Sequence, residues 1–127
     1  MSKIIICPLA QLKDNRSDFN FLIVRSCSNP INNCPQLDAL APSKELFFWT
    51  LNQKKQGIAE EEWFPIYKRQ YLQETKSPRF QYYLNKLLDV VKSGHSLTLC
   101  CYCTTKYCHR IILGEVLKEM GYDVEIK

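Results

Sequence analysis

Between Ser96 and Leu113 the chain reads S-L-T-L-C-C-Y-C-T-T-K-Y-C-H-R-I-I-L, which gathers four of its seven cysteines, one of its two histidines and an arginine. Thiol, imidazole and guanidinium groups this close in sequence suit three kinds of chemistry. These are attack by a thiolate, ligation of a soft metal, and binding of an anion. The apolar start of the stretch reads as a buried strand, Tyr102–Tyr107 as a loop, and Cys108–Met120 as a helix. In open α/β sheets ligands bind outside the carboxyl ends of strands, where helix N-termini offer free N–H groups to anions. Cys108, His109 and Arg110 then fall in the first turn of the helix, where the dipole and the neighbouring guanidinium favour a thiolate over a thiol. Cys108, His109 and Cys103 are the candidate catalytic residues.

Arg25 ends the apolar run Phe19–Val24 and projects at the same edge if the two strands are parallel. Arg25, Arg110, Lys106 and Tyr102 are the candidate ligand-binding residues, with phosphate or carboxylate as the expected partner. A cation in the first turn of a helix is mildly unfavourable unless an anion offsets it. Arg110 is therefore expected to matter for ligand binding more than for folding, and Arg110→Gln to leave the ligand-free protein as stable as before. The alternative is that the arginines pair with acids such as Asp38 or Glu115.

Zinc is the second reading of the same cluster, with Cys101, Cys103, Cys108 and His109 as ligands. Adjacent Cys108-His109 argues against it, as does the alternation that turns strand neighbours Cys100 and Cys101 to opposite faces. No cofactor is expected on that ground, with zinc kept as the alternative. Cys100 and Cys101 also suit the role of small buried hydrophobes. Six residues separate Cys103 from Arg110, a spacing that does not fit a phosphatase-type cysteine loop. His95, after Gly94, reads as a surface histidine.

The elements that must position this cluster follow from periodicity. A chain of 127 residues fits one domain, so 1–127 is read as a single unit. Lys3–Cys7 and Phe19–Arg25 are continuous apolar runs and read as inner strands. Turn signals at Asn29-Pro30, Asn32-Asn33 and Cys34-Pro35 mark an irregular stretch from Ser26 to Pro42. Ser43 caps a helix with Leu46, Trp49 and Gln53 at helical spacing, ended by Gly57. Trp63, Ile66, Tyr67 and Tyr71 form the buried stripe of a second helix, whose start is expected near Trp63 because Pro65 suits only a first turn. Ser77-Pro78 opens a third helix with Phe80, Tyr83, Leu84, Leu87, Leu88 and Val91 inward. Ser96–Cys101 reads as a strand. The last helix turns Leu113, Val116, Leu117 and Met120 inward, and Tyr122, Val124 and Ile126 alternate into a final strand. Strands separated by helices predict an α/β fold, a mainly parallel sheet of about four strands with helices packed against it.

Composition narrows the function classes. Lys plus Arg exceed Asp plus Glu by 17 to 13, but the basic residues are scattered. That suits solvated helix faces better than a nucleic-acid stripe, which stays open as an alternative. No apolar run approaches the ~20 residues of a membrane span. The first residues lack a secretory h-region, and seven cysteines are an odd number crowded at one place. A cytoplasmic protein with reduced thiols is expected.

Leu40-Ala41-Pro42-Ser43, followed by Leu46, Trp49, Trp63, Phe64, Tyr67 and Tyr71, resembles the central stretch of the YeaO-like branch of the domain of unknown function 488 family. Arg25 matches the first arginine of that branch's V-D-R-L-W-P-R segment, whose Asp and Trp have no counterpart here. Cys100 with Cys108-His109-Arg110 is similar to the C-x7-C-H-R signature of the wider family. Cys101-Tyr102-Cys103 with Cys108-His109 is similar to the C-aromatic-C-x4-C-H signature of related small, often phage-encoded, proteins. The resemblance implies an α/β fold and a shared Cys-His-Arg site, and leaves the biochemistry unassigned. The expected function is binding of an anionic small molecule or nucleotide-like ligand at this site, with cysteine-assisted chemistry. The alternative is a non-catalytic nucleic-acid- or protein-interaction module whose cysteines are structural or hold zinc.

Overall fold

The computed structural model describes residues 3–25, 33–103 and 105–127. Strand β1 (Ile4–Pro8) leads through a 3-10 helix (Leu9–Asp14) to β2 (Phe19–Leu22). Helices α1 (Lys44–Lys55), α2 (Glu60–Glu74) and α3 (Pro78–Lys92) follow, then β3 (Leu97–Cys101), α4 (His109–Glu119) and β4 (Val124–Ile126). The strands form one parallel sheet in the order β2-β3-β1-β4. The fold is α/β. Among the described residues no helix is long and apolar enough to cross a membrane.

Local signals account for the helices. Ser43 and Ser77 each accept a hydrogen bond from the N–H three residues on, at Leu46 and Phe80, and Pro78 supplies the first residue of α3. Those caps satisfy donors the helix itself leaves free. Gly57 and Gly94 follow α1 and α3 at φ +73° and +98°, where a side chain would be strained. Phe80, Leu84, Leu87, Leu88 and Val91 are buried as one face of α3, but Tyr83 is 36% exposed.

Three expectations change. β2 is an edge strand, not an inner one. Its outer edge is partly paired by the chain at 35–37, since Leu22 N–H donates to Pro35 O and Leu37 N–H to Leu22 O. Its apolar run outlasts the strand because Ile23 and Val24 stay buried past its end. α2 begins at Glu60, three residues before Trp63, and carries Pro65 inside it. Pro65 is exposed, so the carbonyl that loses its helical partner lies on the wet side of the helix. Ile66 and Met120 are about half exposed, so the inward faces of α2 and α4 run through Trp63, Tyr67 and Tyr71 and through Leu113 and Leu117. Of the turn signals between Ser26 and Pro42, Asn33 adopts φ +58°, whereas Cys27 and Asn29-Pro30 lie outside the described residues.

α4 packs on β1, β3 and β4, and α2 packs on α4 and α1. Along β3 alternation turns Leu99 and Cys101 to one face and Thr98 and Cys100 to the other. Cys101 at the carboxyl end of β3 thereby faces the start of α4, with α2 behind it.

Candidate functional site

Cys108 is the N-cap of α4, in an extended conformation of φ −142° and ψ 150°, and His109 begins the helix. That change of backbone direction swings two neighbouring side chains toward one place. Cys108 Sγ lies 3.6 Å from His109 Nδ1 and 3.0 Å from Cys101 Sγ. The ligand atoms of Cys101, Cys108 and His109 all lie within 4.8 Å of one another, and all three residues are buried. Contrary to expectation, the cap geometry lets adjacent Cys108 and His109 turn their ligand atoms to one point. Cys101 is buried in the hydrophobic core, as expected, and its sulfur also joins the cluster. Cys100 faces away, with its sulfur 3.8 Å from that of Cys34.

His109 is held by its other nitrogen. Nε2 lies 2.7 Å from the carbonyl oxygen of Ile23, and a carbonyl only accepts, so Nε2 carries the hydrogen and Nδ1 keeps its lone pair toward the sulfurs. Burial lowers the imidazole's pKa and keeps it neutral. Tyr71 packs against the ring at 5.7 Å between centroids, and its own hydroxyl donates to Leu40 O at 2.7 Å.

The thiols are electrostatically unequal. Hydrogen bonds from Cys101 and then Cys103, with the backbone N–H and guanidinium of Arg110, outweigh burial and hold the Cys108 thiol below the ordinary thiol range. The hydrogen bond with Cys103, then that with Cys108 and burial push Cys101 far above the ordinary thiol range. Among these thiols the arrangement favours a negative charge at Cys108, at the start of a helix where the dipole also favours it.

A cavity of ≈ 240 Å³ opens over the cluster and is lined by Cys101, Cys103, Cys108 and His109. Its aromatic walls come from Phe47 of α1, Trp63 and Tyr67 of α2, and the loop residues Tyr102 and Tyr107. Arg25 and Lys54, both exposed, add positive charge at its mouth. Trp63 is buried, and its indole N–H has no hydrogen-bond partner among the described residues.

The structure brings Arg25, Tyr102, Cys103, Cys108 and His109 to one cavity. Arg110 and Lys106 are not among its lining residues. Arg110 is 2% exposed, and its Nη1 donates to Cys103 O at 3.0 Å and Thr105 O at 3.1 Å. It holds the loop from behind, pairing with neither Asp38 nor Glu115. Lys106 lies over the Tyr107 ring at 5.4 Å. Arg25 donates to Pro42 O at 3.4 Å. Sequence reasoning missed Ile23, Phe47, Lys54 and the wall role of Trp63 and Tyr67. An aromatic stripe at helical spacing reads as core, and Lys54 reads as one of a solvated pair. No pattern in one element announces that its inner face borders a cavity rather than a packed neighbour.

Residues 4–121 match a family model, DUF488-N3a, described as the active DUF488-N3 subclade. The chain belongs to the DUF488 family. The match spans β1 through the end of α4 and so includes every residue of the cavity. It agrees with the resemblance read from the Cys-His-Arg motif at the level of the family, without singling out the YeaO-like branch. Comparison of this DUF488 chain with curated proteins and with solved structures gave no match.

Proposed function

We propose that the cavity binds a small anionic ligand bearing a flat ring, a nucleotide or a molecule of similar chemistry, and that Cys108 and His109 act on it. The observation that carries this reading is the joint lining of one cavity by aromatic walls, two cations and the Cys/His cluster. Aromatic faces and edges suit a planar heterocycle, Arg25 suits a phosphate or carboxylate held bidentately, and the partnerless Trp63 N–H calls for an acceptor. At ≈ 240 Å³ the cavity lies just below the roughly 300 Å³ at which small-molecule sites begin, so it suits a small ligand rather than a protein segment. The description of the matching subclade as active supports an enzymatic role.

Calorimetric titration with nucleoside monophosphates, the matching nucleosides and inorganic phosphate tests it. Monophosphates are expected to bind best, and the double variant Arg25→Ala/Lys54→Ala to weaken them about tenfold or more, roughly 1.4 kcal/mol. Trp63→Leu should weaken nucleotides and nucleosides while sparing phosphate. Binding of none of the three at millimolar concentration would sink the reading. So would tight, salt-sensitive binding of single-stranded oligonucleotides without mononucleotide binding, which belongs to an extended electrostatic surface.

A further inference from the structure

The deep end of the cavity carries more sulfur than an organic ligand needs. Cys101 and Cys108 lie sulfur to sulfur at 3.0 Å. His109 Nδ1 lies 3.6 Å from Cys108 Sγ, the ligand atoms of these three residues lie within 4.8 Å of one another, and the exposed Cys103 lines the same cavity. We propose that Cys101, Cys108 and His109, which already stand together, bind a thiophilic divalent metal ion, zinc by preference, and that Cys103 moves in from the cavity wall as the fourth ligand of a Cys3His centre.

Four features support this beyond residue type. The spacing fits, since a tetrahedral zinc with Zn–S of about 2.3 Å and Zn–N of about 2.0 Å separates its ligand atoms by about 3.6 to 3.8 Å. The Cys108 to His109 distance already meets that value, and the Cys101 to Cys108 pair needs to part by less than about 1 Å. The imidazole is set for ligation. Its Nε2–H is tied to Ile23 O, the outer hydrogen bond that fixes the tautomer and aim of a metal-bound histidine. The charge also closes. Three thiolates and a dication leave a single negative charge, and the Arg110 guanidinium lies 3.8 Å from Cys101 Sγ to offset it. Finally there is a way in, because Cys103 is exposed and the cluster lines an open cavity. The second close thiol pair, Cys34 and Cys100, lacks such an imidazole.

The inference is independent of which ligand the cavity binds, but an ion held here engages Cys108 Sγ and His109 Nδ1, so in the metal-bound protein those two serve as its ligands and not as a free nucleophile and base. Reduced, full-length protein is reconstituted with zinc, dialysed, analysed for metal, and separately titrated with cobalt(II). About one ion per chain is expected, with the thiolate charge-transfer and tetrahedral visible bands of bound cobalt. Cys101→Ser should weaken metal binding about tenfold or more, whereas Cys100→Ser, on the other face of β3, should keep it. Zinc should also shield Cys101, Cys103 and Cys108 from iodoacetamide until a chelator is added. Should Cys101→Ser fail to fold, the wild-type cobalt spectrum decides, since it reports sulfur ligation directly. Folded wild-type protein that takes up no stoichiometric zinc and gives no cobalt–thiolate band overturns the proposal, as does alkylation at equal rates with and without zinc. Nucleotide titration of the Arg25/Lys54 variant is a separate readout, so nucleotide binding and metal binding can each fail while the other stands.

Discussion

A positive charge near the start of a helix needs an anion, and for Arg110 that partner lies inside the protein. The cation faces the Cys101 and Cys108 sulfurs, and its Nη1 is occupied by the carbonyls of Cys103 and Thr105. Its removal leaves those part-buried carbonyls without their donor and the buried sulfurs of Cys101 and Cys108 without their counter-charge. Arg110→Ala should therefore destabilise the ligand-free protein by about 3 kcal/mol in urea unfolding, the scale of losing hydrogen bonds from a buried charged group. Arg110→Gln should fall in the same direction rather than leaving stability untouched. A variant as stable as wild type would show that loop 102–107 holds its shape without the guanidinium. The motif was readable as a Cys-His-Arg site from its spacing alone. Which side of the loop each group occupies was not, because that depends on the cap at Cys108.

At the scale of elements, α4 owes its closeness to the sheet to one residue. A Cβ at Gly114 would lie 2.8 Å from Ile126 Cδ1, 3.0 Å from its Cγ1 and 3.4 Å from Ile6 Cγ1. A glycine inside a helix costs up to about 1 kcal/mol against alanine, and here the cost is offset by letting the helix axis approach β1 and β4. Alanine would need mainly the Ile126 side chain to shift, so propensity and crowding oppose one another. Valine adds two methyl groups into the same gap. Gly114→Val is expected to destabilise by about 2 kcal/mol, read as a lower urea midpoint. An unchanged midpoint would mean that α4 can ride outward without loss. Because Cys108 and His109 are the first residues of this same helix, such a shift should also disturb the thiol cluster. Glycine amid an apolar helical pattern is a visible signal of close approach, but the partner strand is not visible with it.

For the whole molecule, the order β2-β3-β1-β4 makes β4 the cover for one edge of β1. β1 is the apolar run Ile4-Ile5-Ile6 with Cys7 and Pro8. β4 pairs with it through Val124, Glu125 and Ile126, and Val124 is buried. Deleting residues 124–127 should cost about 2 kcal/mol or more from Val124 and the Ile126 contacts. It should also leave an apolar edge open to other chains. The expected result is a lower melting temperature with concentration-dependent light scattering, and a monodisperse, equally stable product would refute it.

The sequence by itself determined the kind of elements and most of their ends. Helical and strand periodicities, serine caps and positive-φ glycines are local, and each is satisfied within a few residues of where it is written. It also marked Cys101–Arg110 as the chemical stretch, because thiol, imidazole and guanidinium groups crowd a loop and a helix start there. Only the tertiary structure decided that β2 lies at an edge, that Cys101 turns to Cys108 while Cys100 turns away, and that Arg110 backs the loop. It alone put Trp63, Tyr67, Phe47 and Lys54 around the cavity. Those facts depend on which strand lies beside which and on how closely α4 and α2 approach the sheet. Contacts between residues far apart in the chain leave no periodic trace in either partner.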